Sequence, residues 1–174
     1  PWGRFAGQLA LVVLCMVCAR SWAMLFNRLA DRSIDAQNPR TVRRVFASGT
    51  IAARQGWIAA MGAASIFIGA TGLFWAFFDN SWPIALSIPV LAWIAFYSLT
   101  KRFTALCHLF LGGALAASPI AAAIAVNPAS VLTWPPLTPA ILWIAGMVLV
   151  WVAGFDIIYA LQDLDFDRGA GLSS

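Results

Sequence analysis

Five long apolar runs separated by short polar links dominate this chain. They cover roughly residues 5–26, 56–78, 82–100, 104–126 and 139–162. Each approaches the about 20 residues that a helix needs to cross about 30 Å of hydrocarbon. Backbone N–H and C=O groups in lipid must pair within their own segment, so the runs are expected to be helices. The pattern therefore predicts an all-α fold, a polytopic transmembrane helix bundle. Pro83 falls in a first helical turn, where proline is tolerated, whereas Pro89 and Pro119 lie deeper and are expected to kink their helices. Gly69 and Gly72 in one run, and Gly112 and Gly113 in another, suggest places where helix backbones approach closely.

Composition agrees. Hydrophobic residues make up 61% of the chain and charged residues 10%, about half the charged fraction of a soluble domain. The mean hydropathy is +0.82. A chain this apolar implies the lipid bilayer as a partner and excludes nucleic acid. Cys15 and Cys18 form a C-x-x-C within an apolar run, with no second ligand pair, and read as small packing residues, as does Cys107. His108 reads as a packing or interface residue at the start of its run.

The links differ in charge. Segment 28–54 carries Arg28, Arg32, Arg40, Arg43, Arg44 and Arg54; link 101–103 carries Lys101 and Arg102; the tail carries Arg168. The link around Asp79 and Asn80 has no basic residue, and link 127–138 has no charge. The excess of basic residues places 28–54, 101–103 and the tail in the cytoplasm. A bacterial inner membrane is the expected location.

The acidic residues are gathered rather than scattered. Six of seven fall in two clusters, Asp31 and Asp35, then Asp156, Asp163, Asp165 and Asp167, and there is no glutamate. An even number of crossings separates the clusters, so both are expected to face the cytoplasm and to converge with Lys101 and Arg102. Asn27, Asp31 and Asp35 are spaced i, i+4, i+8, and Asp156, Tyr159, Asp163 and Asp167 are spaced i, i+3, i+7, i+11. Each set lines one face of a continuous helix, and Asp165 falls on the opposite side. Two opposed carboxylate stripes suit Mg²⁺, which binds one or two carboxylates plus substrate phosphates. Arg44, Lys101 and Arg102 are placed to bind phosphate oxygens. The expected ligand is a diphosphate ester whose tail lies among membrane helices.

These motifs resemble those of the UbiA superfamily of intramembrane prenyltransferases, which carry N-D-x-x-D-x-x-x-D and D-x-x-Y-x-x-x-D-x-x-x-D. Asn27, Asp31 and Asp35 match the first, with Arg28 in place of its second residue. Asp156, Tyr159, Asp163 and Asp167 match the second in full. Tyr97 and Lys101 match a Y-x-x-x-K feature, and Arg44, Ser48 and Gly49 align with an R-P-L-P-S-G turn. By this resemblance residues 1–174 form a single transmembrane prenyltransferase domain. It holds the second through sixth of nine helices and is truncated at both ends, which puts the activity of the isolated segment in question.

The resemblance is strongest to 4-hydroxybenzoate polyprenyltransferases of ubiquinone or menaquinone biosynthesis, with the haem and chlorophyll branches as alternatives. It implies a Mg²⁺-dependent transfer of a polyprenyl group from polyprenyl diphosphate to an aromatic acceptor. Asp31, Asp35, Asp163 and Asp167 would hold the metal. Asn27, Asp156, Tyr97 and Tyr159 would assist in substrate binding, and Arg44, Lys101 and Arg102 would neutralise the leaving diphosphate. Two rival classes fit less well. A CDP-alcohol phosphotransferase would carry D-G-x-x-A-R, which is absent. A cation transporter would place its carboxylates near the bilayer midplane rather than at one boundary.

Overall fold

The apolar runs fold as helices, of which the first two extend beyond the expected ends while the third keeps them and the last two are slightly shorter. A computed structural model describes residues 2–173. Its long helices are α1 (Trp2–Ala30), α3 (Ala53–Phe78), α4 (Trp82–Thr100), α5 (Cys107–Val126) and α7 (Pro139–Ala160). Short helices α2 (Arg32–Asp35), α6 (Ala129–Leu132) and α8 (Leu164–Gly169) and a 3₁₀ turn at Leu161–Asp163 fill the links. Among the described residues there is no strand. Five helices are long and apolar enough to cross a membrane, the last running on through the 3₁₀ turn and α8. The chain is therefore an all-helical integral membrane protein. At 1.5 Å per residue, α1 is about 43 Å long. It outreaches the hydrocarbon layer, so its end can carry polar residues into the boundary.

Helices α1, α3 and α4 pack around a core that includes Trp22, Ala23, Leu29, Ala60, Ala64, Phe67, Leu91 and Ile94. The Trp22 indole N–H donates to the Leu91 carbonyl at 3.1 Å, pairing a polar group that lipid would leave unsatisfied. Helix α5 lies between α4 and α7. A Cβ built on Gly112 would come within 2.5 Å of the Leu149 carbonyl oxygen, so only glycine permits this approach of α5 to α7. Gly113 makes an ordinary contact with Trp93, whereas Gly69 and Gly72 face open space and set no helix contact. Helices α4 and α5 run through Pro89 and Pro119 without ending.

On α7 only Ala145 and Ala153 are buried. Trp143, Met147, Val150, Trp151, Phe155 and Ile158 are exposed. In water that face would be a large uncovered apolar patch; in lipid it is ordinary.

At one end of the bundle, side chains close the helix termini. Asn80 donates through Nδ2 to the carbonyls of Ile124 and Ala125 at 2.8 and 3.0 Å. Gln8 donates to Val126 at 3.2 Å and Arg4 to Phe78 at 2.9 Å. These bonds satisfy carbonyls that have no partner within their own helices. At the other end, the polar loop after α2 folds back onto the core. Phe46 is buried against Gly56 and Leu29, and the Thr41 hydroxyl donates to the Asp35 carbonyl at 3.0 Å. This anchoring places Arg40 and Arg44 over the helix ends.

Candidate active site

The first acidic motif keeps its helical path across the break between α1 and α2. The Asp31 N–H donates to the Asn27 carbonyl at 3.0 Å, and the Asp35 N–H to Asp31 at 2.8 Å. Both carboxylates are buried, Asp31 at 1% exposure and Asp35 at 5%. A buried carboxylate is costly unless paired, and here each is paired. Lys101 Nζ lies 2.6 Å from Asp31, and Arg102 Nη2 lies 3.4 Å from it while also donating to the Ala30 carbonyl at 2.6 Å. Arg44 Nη1 reaches the two oxygens of Asp35 at 2.8 and 3.0 Å. Three cations singled out in the sequence thus hold the first motif.

The second motif is not one continuous helix. It runs from α7 through the 3₁₀ turn Leu161–Asp163 into α8. Asp156, Tyr159, Asp163 and Asp167 nevertheless line one cavity of about 270 Å³, together with Asn27, Tyr97, Lys101 and His108. Asp165 is exposed and outside that lining, on the side the spacing assigns it. Asp31 and Asp35 also lie outside the lining.

Arg40 and Asn38 are the residues that sequence reasoning left unassigned. The Arg40 guanidinium binds Asp163 through two nitrogens, with Nε donating to Oδ1 at 2.7 Å and Nη2 to Oδ2. Its Nη1 donates to the Tyr159 hydroxyl at 3.1 Å, and its plane lies 5.2 Å from the Tyr159 ring centroid. Asn38 donates to Asp163 Oδ1 at 3.0 Å and accepts from the Arg40 backbone N–H at 2.9 Å. The hydrogen bonds from Arg40 to Asp163 raise the guanidinium's affinity for its proton, so Arg40 stays charged. The sequence signal for Arg40 is only its place in an Arg-rich loop, which topology alone explains.

Among the described residues no three acidic, histidine or cysteine side chains are drawn into one metal-sized cluster. Arginine and lysine stand against the carboxylates instead. The donor chemistry still suits a hard cation. Asp163 and Asp167 line a cavity that Asn27 also lines, although Arg40 engages both oxygens of Asp163, and Mg²⁺ takes as few as one or two carboxylates when phosphates complete its shell.

A second, larger cavity of about 490 Å³ lies among α1, α3, α4 and α5, with walls of Val12, Phe67, Phe74, Leu86, Val90 and Ile94. Arg20 is the one charged side chain in its lining, and like Arg40 it carries no functional signal in the sequence. Tyr97 lines both cavities. A polar chamber that can hold phosphate and metal thus adjoins an apolar one that can hold hydrocarbon.

Fold and site together define a polytopic helical membrane protein with an acid-lined chamber that shares Tyr97 with an apolar one. The chain belongs to the UbiA prenyltransferase family, which it matches over residues 2–174. It is 32% identical over 162 residues to a 4-hydroxybenzoate octaprenyltransferase of Pseudomonas fluorescens (strain Pf-5), covering 91% of this chain and 50% of that protein. With the protein of that name from Nitrosomonas eutropha it shares 33% over 168 residues, covering 95% and 54%. The solved apo structure of a UbiA homolog from Aeropyrum pernix K1 superposes with a TM-score of 0.83 at 32% identity, covering 95% of this chain and 59% of that one. The chain thus spans about half the length of the curated relatives it matches. Family membership displaces the CDP-alcohol phosphotransferase and cation-transporter alternatives.

Proposed function

We propose that the protein transfers a polyprenyl group from a polyprenyl diphosphate to an aromatic acceptor of the 4-hydroxybenzoate kind, a step of quinone biosynthesis. The observation that carries this reading is the junction at Tyr97 between the acid- and cation-lined cavity and the apolar one. An amphiphile with a diphosphate head and an isoprenoid tail matches both halves. The names of the relatives supply the acceptor class, and both cavities are expected to open toward the cytoplasmic boundary.

The residues divide the work. Lys101 lines the polar cavity and can pair with the leaving diphosphate. Arg44 and Arg102, which hold Asp35 and Asp31, are its expected helpers. Asp163 and Asp167 would hold Mg²⁺, with Asn27 assisting and Arg40 yielding an oxygen of Asp163; Asp31 and Asp35 would join them by giving up their present cation pairs. Bound Mg²⁺ would neutralise charge developing on the diphosphate. The apolar walls shield the allylic cation from water, and preorganised charge at the leaving group lowers the barrier most. Arg20, set in an apolar wall, suits the carboxylate of the acceptor. Tyr97 and Tyr159 border the place where donor and acceptor meet.

The test is prenyl transfer by the protein in proteoliposomes supplied with octaprenyl diphosphate and 4-hydroxybenzoate. A prenylated ring product that requires both substrates is expected. Hydrolysis of the diphosphate with no carbon–carbon bond formed, across a panel of phenolic acceptors, would refute the reading.

A further inference from the structure

The carboxylates around this site differ in what neutralises them. Asp31 is paired with Lys101 and Arg102, Asp35 with Arg44, and Asp163 with Arg40. All these partners are lysine or arginine, which donate hydrogen bonds and accept none. Asp156 is paired instead with an imidazole, His108 Nδ1 lying 2.8 Å from its Oδ2. The histidine side chain is 12% exposed and the aspartate 34%. Both line the polar cavity beside Lys101 and Asp163. They come from different helices, α5 and α7, pressed together where Gly112 meets the Leu149 carbonyl. The pair is therefore held by rigid elements rather than loops, and its imidazole, unlike lysine or arginine, has a second ring nitrogen that can accept a proton.

The geometry also sets the direction of proton flow. A carboxylate accepting from Nδ1 fixes the neutral tautomer with its proton on that nitrogen and leaves a lone pair on Nε2. It also stabilises the imidazolium that forms when Nε2 takes a proton. The proposed reaction needs such an acceptor. The carbon–oxygen bond of the prenyl diphosphate breaks with its electron pair leaving on the diphosphate. A π pair of the acceptor ring forms the new carbon–carbon bond. The attacked ring carbon then holds both hydrogen and prenyl group, and aromaticity returns only when that hydrogen leaves as a proton.

Resting on the function proposed above, we infer that His108 is the base that takes this proton through Nε2, oriented by Asp156. The C–H electron pair restores the ring, the imidazolium is held beside Asp156, and the proton passes on to water between turnovers. His108 is thus a catalytic residue and Asp156 a positioning residue, where the sequence suggested packing and substrate contact.

The test uses 4-hydroxybenzoate deuterated at the two ring positions ortho to the hydroxyl, with the protein in proteoliposomes. In the wild type, proton loss follows the slow ionisation step, and no primary isotope effect on kcat is expected. In His108→Gln, an amide can still donate to Asp156, so packing is kept while the base is lost. There kcat should fall by roughly 100-fold or more, a primary isotope effect should emerge, and KM for the prenyl diphosphate should stay put. Asp156→Asn, which destroys the tautomer preference, should give the same isotope effect with a smaller fall in kcat. Should His108→Gln fail to fold, Asp156→Asn decides by the same readout. Wild-type kcat in His108→Gln, or a slowed variant with no isotope effect, overturns the assignment while leaving prenyl transfer intact. Absence of prenylated product from the wild type overturns the function reading, and this proposal with it.

Discussion

Arg40 grips the carboxylate of Asp163 from 123 residues away in sequence, with Nε on Oδ1 at 2.7 Å and Nη2 on Oδ2. This fork joins the loop after α2 to the turn after α7, across four long helices and the short α6. It also braces Tyr159 through its hydroxyl.

Arg40→Ala should therefore loosen the second acidic motif as a unit. A hydrogen bond to a charged group contributes about 1.5–3 kcal/mol, so prenyl transfer should fall by roughly 10- to 100-fold. Arg40→Lys restores the charge but not the two-pronged geometry and should recover only part of the rate. Steady-state kinetics of the three proteins checks this, and full activity in Arg40→Ala would mean that Asp163 needs no such brace.

Helix spacing at the α5–α7 contact gives a second expectation. Gly112→Ala places a methyl group 2.5 Å from the Leu149 carbonyl oxygen, a contact that backbone must yield to. Moving α7 displaces Asp156 from His108, so thermal stability and activity should fall together. Gly69→Ala and Gly72→Ala meet open space and should melt like the wild type. Equal loss at all three positions would show that glycine acts here through something other than helix approach.

How far the sequence carries the fold and the site depends on the kind of contact. The five membrane-length helices follow from apolar length, a property local to each run. Helical spacing alone sets Asp165 apart from Asp163 and Asp167, and it is exposed outside the cavity they line, even though the 3₁₀ turn at Leu161–Asp163 interrupts the helix. The pairings are another matter. Lys101 with Asp31 fits the expectation that link 101–103 meets the first motif. Nothing local distinguishes Arg40 from the other arginines of its loop, because positive-inside topology alone explains them all. His108 and Asp156 meet 48 residues apart through a glycine contact between two helices, and no periodicity along either helix reports that. Arg20 escaped notice because it lies within an apolar run, where its role depends on which helices face it.

Topology is the third expectation. Cysteine substitutions at Asp35 and Asp167 should label from one side of the membrane in inside-out vesicles and not in right-side-out ones. Asp167 borders the cavity shared with Asn27, the residue from which the first motif begins. Labelling of the two positions from opposite sides would break the shared site apart.

Asp163 and Asp165 offer a fourth comparison two residues apart. Asp163 lines the polar cavity and is exposed at 15% as a side chain, whereas Asp165 is exposed outside that lining. Asp163→Ala should abolish transfer and remove any dependence of residual binding on added Mg²⁺. Asp165→Ala should stay close to wild type and keep the same Mg²⁺ titration after EDTA treatment. Similar losses at both positions would refute the face assignment.

The final prediction concerns Lys101 and Asp31, 2.6 Å apart, with the carboxylate 1% exposed. Two roles compete for the ammonium group: holding Asp31 folded, and meeting the diphosphate in the cavity it lines. A double-mutant cycle separates them. Lys101→Met leaves a buried carboxylate with Arg102 as its remaining partner, at 3.4 Å. Removing one partner of a buried pair costs about 3–5 kcal/mol when nothing replaces it, and Arg102 should reduce that figure. Adding Asp31→Asn removes the stranded charge, so the double variant should melt above Lys101→Met. If stability were the whole story, activity would return with it. The proposed role at the leaving group requires otherwise. The double variant should remain slower than Asp31→Asn alone, with kcat down roughly 10- to 100-fold relative to that single variant at saturating acceptor, the cost of one charge-assisted hydrogen bond that strengthens as the diphosphate departs. Should the fall appear only in KM for the aromatic acceptor, Lys101 contacts the acceptor carboxylate and the division of work with Arg20 is reversed.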